Sequence, residues 1–402
     1  MIDRDLLLRA TAELIAAPSE NPPDDTRAAA MVAARLLSAI PGVVVTEHTK
    51  EEPIRNVVAV RRGARPGKRL VLSGHLDTYP AGDASRWSVP PFAATIRGDR
   101  LYGRGSADMK GGIAAAITAL AALAQEPDFA GEVVLALAGD EESMGTSGTQ
   151  FLLDTVPMVR GDVAIVPDAG SPAVIRFGEK GMVWLDLVAE GKAAHGAHVH
   201  RGENAAERLM EALRRLLALR DWPVEIPPPI RAAIAAAQPV SEPLGGVGEA
   251  ETLTHVTVNL GMVSAGISPN LVPDRAIAGL DVRLPPGTNT TAIIAAARAA
   301  IADLPGVGMT VRVAWEPTVT DPTHPLFTAL RRAATPVLGS EPVLNMRVGA
   351  SDARLFRLAG IPTAVFGPTP HGMGGGDEYV LIPELIAVAQ ALEAAARDIL
   401  VG

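Results

Sequence analysis

Two histidines and a set of carboxylates recur in one kind of place along this chain, just past a short apolar run. His75 and Asp77 follow Leu70-Val71-Leu72, and Asp140-Glu141-Glu142 follow the largely apolar run 132–137. Asp168 follows Val163-Ala164-Ile165-Val166, and His371 lies in the glycine-rich stretch after Ala364-Val365-Phe366. Short apolar runs bounded by turn residues read as buried strands. Open α/β sheets place their ligands beyond the carboxyl ends of such strands. Asp108 stands in a Gly-rich loop, 103–112, that leads into an Ala-rich run. Gathered in one crevice, His75, Asp77, Asp108, Glu141, Glu142 and Asp168 make an oxygen- and nitrogen-rich cation site, with His371 as a second imidazole. Such a set suits a pair of cations bridged by one carboxylate, with an adjacent acid free to act as general base towards water.

Each residue also has a plainer role open to it. His75 could be a hydrogen-bonded core histidine, Asp108 a helix N-cap, and the acidic triplet a solvated turn. The repetition of the pattern at successive strand ends favours the site. The Gly-rich loop is not a dinucleotide fingerprint, because Asp108 stands where the third glycine belongs, and it lacks the Gly-Lys-Ser/Thr of a phosphate loop.

The elements that must position these groups follow from periodicity. Helices are expected over 6–17, 26–40 and 113–124, and strands over 43–45, 56–60, 70–72, 132–137 and 163–166. Alternation along a strand points His75 and Asp77 the same way, so the carboxylate can stand behind the imidazole and fix its tautomer. After about residue 177 the pattern becomes strand, helix, strand, strand, helix, strand, a small α+β sandwich with one open sheet face. It starts with a strand over 181–188 and a helix over 204–217. A Pro-rich loop at 223–229 then leads to a strand over 254–263. From about 325 the first style returns. The fold class expected is therefore α/β: a catalytic domain with a mostly parallel sheet flanked by helices, formed by 1–178 and 319–402. An α+β, ferredoxin-like lid and dimerisation domain, 179–318, is inserted in it.

Composition narrows the partners. A chain of 402 residues with 48% hydrophobic and 20% charged content has ample core, but only 3% is aromatic, so Ala, Val, Leu and Ile must build it. A net charge of −9 disfavours nucleic acid and anionic membranes. The chain has no cysteine, which removes disulfides, thiolate metal sites and thiol nucleophiles together. The amino terminus lacks a signal-peptide core and no apolar run looks long enough to span a bilayer, so a cytoplasmic location is expected. Imidazole with carboxylates makes zinc the first expectation for the cations; cobalt or manganese fit as well.

Four stretches resemble one known family: 73–80 around His75, 102–112 around Asp108, Asp140-Glu141-Glu142, and the His371 segment. The family comprises the dinuclear metallopeptidases and deacylases that include acetylornithine deacetylase, succinyl-diaminopimelate desuccinylase, aminoacylase and the glutamate-releasing carboxypeptidases. The resemblance implies that Asp108 bridges two divalent metal ions, that His75 and Asp168 complete one site, and that Glu142 and His371 complete the other. It implies that Asp77 orients His75, that the peptide after Asp108 is often cis, and that Glu141 is the general base that passes a proton from the bridging water to the leaving amine. His195 resembles the inserted-domain histidine that polarises the scissile carbonyl, often from a partner subunit, which implies a homodimer. Asn270 and Arg354 resemble residues that grip a substrate carboxylate; Arg283 is a weaker match, read rather as a structural ion pair with Asp281 or a neighbour.

This chain departs from the family pattern at Val199, often Pro, at Asp168-Ala169, often Glu-Pro, and in the run Gly374-Gly375-Gly376. The activity implied is hydrolysis of the amide of a small N-acyl amino acid or dipeptide-like substrate bearing a free carboxylate. The alternatives are hydrolysis of another C–N bond, such as deamination of an aromatic amine, and a catalytically silent binding protein.

Overall fold

The apolar runs that precede the candidate residues are neighbouring strands of one nine-stranded sheet. A computed structural model describes residues 2–126 and 128–401. The sheet runs Val43–His48, Asn56–Arg62, Ala130–Ala138, Arg65–His75, Val163–Val166, Thr363–Val365, Val174–Glu179, Thr318–Val319, with Val343–Arg347 also paired to Val174–Glu179. Its centre is parallel: Arg65–His75 lies between Ala130–Ala138 and Val163–Val166, and Val163–Val166 is followed by Thr363–Val365. The flanks Val43–His48, Asn56–Arg62 and Thr318–Val319 pair antiparallel, so the sheet is mixed. The parallel register brings His75 opposite Ala138, and so places the carboxyl ends of these strands side by side.

Both faces of the sheet are covered. Leu70, Leu72, Val133, Leu135 and Leu137 join a core with helices Arg4–Ile15, Arg27–Ser38, Gly111–Ala124, Pro325–Leu338 and Ile382–Val401. The alternate residues Val71, Val134 and Ala136 face the other way, onto Leu152, Leu153, Leu355 and Phe356 of two shorter helices. This is the period-two division of a strand buried on both sides. With few aromatics, close approach does the packing. Gly112 is required where the helix Gly111–Ala124 meets the strand end before Asp168, because a Cβ there would lie 1.8 Å from the Pro167 carbonyl oxygen. The Asp108–Met109 peptide is cis.

The segment Ser106–Ala124 is long and apolar enough, by length and composition, to cross a membrane, contrary to the expectation drawn from the apolar runs. Its most apolar window is 78% buried inside the fold, the setting of a core helix.

A second sheet of four antiparallel strands runs Thr257–Ala265, Arg275–Leu284, Gly181–Glu190, Val307–Trp315. Helices Ala205–Leu217 and Thr290–Ile301 cover one face, with Val183, Leu185, Leu187, Leu209, Leu213, Leu280, Val282 and Ile293 in a core of their own. Its edge strand Thr257–Ala265 is largely exposed, including Met262 and Val263.

The loop expected after 223 gives way to a pair of helices, Pro228–Gly245 and Glu249–Thr254, and the strand begins at Thr257. Pro228 and Pro229 suit a first helical turn, but Pro239 and Pro243 inside it argue against a helix. Its Ile230 and Ile234, with Ile226 and Leu253, pack into the first core and not the second.

Candidate metal centre

His75 ends its strand, and its buried imidazole is held at both nitrogens. Nδ1 hydrogen-bonds the main-chain oxygen of Asp77 at 2.9 Å, and Nε2 faces Asp108 Oδ1 at 3.0 Å, with Asp168 Oδ1 at 4.0 Å. The Asp77 carboxylate is 3.5 Å from Nδ1. It is turned instead to the N–H groups of Glu141 and Glu142, at 3.2 and 3.0 Å, and to Asn21 Nδ2 at 3.1 Å. Strand geometry stops at His75, so the alternation that would put the carboxylate squarely behind the ring does not extend to Asp77.

Asp108 is delivered by the Gly-rich loop. Gly105 adopts a left-handed conformation with φ 80°, and a Cβ there would meet Thr78 Cγ2 at 2.6 Å. The loop is fixed from the far end of the chain: Glu378 Oε1 accepts the N–H groups of Ala107 and Asp108 at 2.9 and 3.3 Å. The other Glu378 oxygen pairs with the buried Arg104 guanidinium, which also donates to the Gly375 carbonyl at 2.7 Å. Asp168, at the next strand end, accepts its neighbour Ala169 N–H at Oδ1 and pairs with Arg347 at Oδ2. Asn21, Arg104, Glu378 and Arg347 were not singled out from sequence. The buried Arg104 and Glu378 lie among glycines beside expected ligands, which is the one local signal that could have marked them.

The expected ligands come together as two sets sharing one histidine. His75, Asp108 and Asp168 have ligand atoms all within 4.8 Å of one another, and so do His75, Glu141 and Glu142. His371 belongs to neither set among the described residues. Its ring stacks on Tyr379, 4.5 Å between centroids at 4°. Its Nε2 is buried without a hydrogen-bond partner, and so is Glu142 Oε1. Those two orphaned atoms are the donors expected for the second ion, so the residues fit a pair of divalent cations.

The electrostatics point the same way. Burial pushes Glu141 well above the ordinary carboxylate range, and pushes Glu142 up to about 8 with Asp108 and Asp77 adding to it. Asp168 is also raised by burial, in spite of Arg347. Burial alone would lower His75, but the carboxylates of Asp108 and Asp77 beside it outweigh that and hold it well above its usual value. Crowded, desolvated carboxylates of this kind are relieved by bound cations.

The remaining candidates lie elsewhere. His195 is on the smaller unit, in a two-stranded ladder opposite Leu271, where its Nδ1 accepts the Ala197 N–H at 3.1 Å. Asn270 is beside it: the Asn270 carbonyl accepts the Gly196 N–H at 2.7 Å. Among the described residues neither hydrogen-bonds to the carboxylate cluster. Arg354 is buried, donates to the carbonyls of Ser351 and Met144 at 2.8 Å each, and lies 5.0 Å over the Trp315 ring. Arg283 is engaged with Asp281 through Nε at 2.8 Å and Nη2 at 3.0 Å.

Comparison with known proteins accords with this geometry. Residues 71–398 match the model of peptidase family M20/M25/M40. A succinyl-diaminopimelate desuccinylase of Granulibacter bethesdensis is 31% identical over 92% of this chain and 92% of its own. Another, of Rhizorhabdus wittichii, is 32% identical over 97% of each. Among solved structures, an M20 family metallo-carboxypeptidase from Sulfolobus solfataricus superposes with a TM-score of 0.82 at 22% identity, covering 97% of this chain and 98% of that one. Human carnosine dipeptidase 1 gives 0.74 at 18% identity, covering 98% and 97%; both likenesses speak for the fold. The chain belongs to peptidase family M20/M25/M40 and is a metal-dependent amide hydrolase.

Proposed function

We propose that the enzyme removes the acyl group from a small N-acyl amino acid, or cleaves a dipeptide-like substrate, that carries a free carboxylate. The observation that carries this reading is the pair of ligand sets meeting at His75, with Glu141 inside one of them. His75, Asp108 and Asp168 would hold one ion, and Glu142 and His371 the other with Asp108 shared. Bound divalent ions would polarise the scissile carbonyl and lower the pKa of the attacking water. Zinc is the ion proposed, with cobalt or manganese also suited to these donors.

Glu141 takes the proton from the attacking water and delivers it to the leaving amine. It lies with Glu142 and His75 in one of the two ligand sets, where a carboxylate can reach a water activated by bound ions. His195 supplies a donor to the developing oxyanion from the inserted domain. Asn270, beside it, and Arg354, whose Nε is buried without a partner, are proposed to grip the substrate carboxylate; Arg283 is already committed to Asp281.

The division into 1–178 with 319–402 and an inserted lid at 179–318 belongs to this reading, as does a homodimer. The exposed edge strand Thr257–Ala265, with Met262 and Val263 open to solvent, supports the dimer. A cytoplasmic location is part of the same proposal, and the net charge of −9 speaks against nucleic-acid and anionic-membrane partners.

The test is a panel of N-acyl amino acids and dipeptides, N-succinyl-diaminopimelate first among them because the curated relatives above are its desuccinylases. Protein loaded separately with zinc, cobalt or manganese is assayed by mass spectrometry, with a chelator control. Consumption only with metal is expected. In Glu141→Gln, turnover should fall about 10²–10⁴-fold with metal content unchanged. Full activity in that variant would remove Glu141 from its role.

A further inference from the structure

Arg347 has one side-chain hydrogen bond among the described residues, and it goes to Asp168 Oδ2. The arginine ends the strand Val343–Arg347, where its backbone is pinned on the Val174–Glu179 side: it lies in register with Glu179, and its carbonyl accepts the Lys180 N–H at 3.2 Å. The nearer acid by register, Glu179, is already taken. One of its oxygens accepts the Ser351 N–H at 2.9 Å, and the other accepts Ser351 Oγ and faces Arg357 Nη1 at 3.3 Å. The guanidinium therefore reaches past Glu179 to Asp168.

Asp168 is held just as firmly. The Pro167 carbonyl before it is packed so closely that a Cβ at Gly112 or Gly367 would collide with it, and Gly170 donates to Pro368 at 2.9 Å. Its two oxygens have separate surroundings. Oδ1 accepts the Ala169 N–H at 2.6 Å and is the one turned to His75 Nε2. Oδ2 faces away, to Arg347.

We propose that Arg347 is a positioning residue for the metal centre: by occupying Asp168 Oδ2 it leaves Oδ1 alone to bind the ion that His75 and Asp108 share. A carboxylate free at both oxygens can close on a cation in bidentate fashion and raise its coordination number. One oxygen tied to a guanidinium is held back from doing so, and an ion bound there would keep an open position for water or substrate. Partners that orient ligands in this way have measurable effects on affinity. The proposal rests on the dinuclear reading given above.

The test is titration of metal-free protein with cobalt(II), followed by calorimetry and by the visible absorption of the bound ion. Wild type should fill two sites. In Arg347→Met both sites should still fill, with affinity at one of them held or raised, and the absorption of that site should weaken as Asp168 closes both oxygens on the ion. Arg347→Lys, which keeps a charged donor, should stay close to wild type in both readouts. Arg347→Gln, read in the same way as the methionine variant, takes its place if that variant does not fold.

Unchanged absorption in the neutral variant, or a lower affinity at that site, would overturn the proposal. An Asp168→Asn control separates the two levels of the argument. It should lose the same site in every background; if it keeps both sites, or if wild type takes up no cobalt, the metal reading itself has failed and the proposal with it.

Discussion

The carboxylate of Asp77 accepts the main-chain N–H of Glu142 at 3.0 Å and that of Glu141 at 3.2 Å, so one buried acid sets the position of two others delivered by a different strand. Its main-chain carbonyl meanwhile holds His75 Nδ1. Asp77 thus ties the imidazole to the turn that carries Glu141, the group proposed to transfer the proton. In Asp77→Asn the amide cannot accept both N–H groups and Asn21 as the carboxylate does. We expect kcat/KM to fall about 10–100-fold, mostly in kcat. Steady-state kinetics with metal analysis on the same preparation checks this; wild-type kinetics would show that the Glu141-Glu142 turn holds without Asp77.

The Arg104–Glu378 pair joins two stretches far apart in the chain and is nearly inaccessible, at 2% and 1% side-chain exposure. Removing one member of such a pair strands the other. Glu378→Gln should cost about 3–5 kcal/mol in denaturant unfolding. Arg104→Met added to it should recover some of the loss, because no charge is then left uncompensated. A double variant no more stable than the single one would show that packing against Trp87, 5.2 Å from the guanidinium, outweighs the charge.

Lys180 gives the stability a dependence on pH away from the metal ligands. Burial, helped by Arg283, lowers its pKa from 10.5 to about 7, although Nζ donates to the carbonyls of Thr252 and His255 at 2.6 and 2.8 Å. The unfolded chain therefore binds more protons at this site than the folded one between about pH 7 and 10.5. Stability contributed by Lys180 should rise with pH across that window and be flat below it. The melting temperature of wild type should climb relative to Lys180→Met between pH 7 and pH 9. Parallel curves would mean that the two carbonyls around Nζ keep it charged.

Metal removal should loosen the protein as well as silence it. Without cations, Asp108, Asp168, Glu141 and Glu142 crowd about His75. Ions that bind only the folded chain stabilise it by about 4 kcal/mol at a thousandfold excess over their dissociation constant. Melting curves with zinc and with chelator should separate accordingly; coincident curves would contradict a preformed site.

What could be read in advance follows a physical division. His75, Asp108, Glu141, Glu142 and Asp168 were legible because each directly follows an apolar run or sits among glycines, local signals that survive without any tertiary knowledge. Asn21, Glu378 and Arg347 were not, because each acts across the fold on a residue 56, 270 or 179 positions away. The same limit explains the helix Pro228–Gly245. Its prolines argue locally against a helix, and what stabilises it is burial of Ile230 and Ile234 against a core formed by other segments of the chain. His371 shows the division inside one residue: its place after a strand was visible, but its stacking on Tyr379 was not.

That same helix bears on how far this molecule can be taken apart. The segment between its two sheets is threaded: the chain leaves the first core, builds half of the second, returns to seal the first with Ile226, Ile230, Ile234 and Leu253, and only then completes the second. A graft that exchanged residues 179–318 wholesale with a relative's would strip an apolar surface from the recipient, and an excised insert would expose one. The transferable unit is the four-stranded sheet with its two helices, and a clean exchange has to leave residues 226–253 behind.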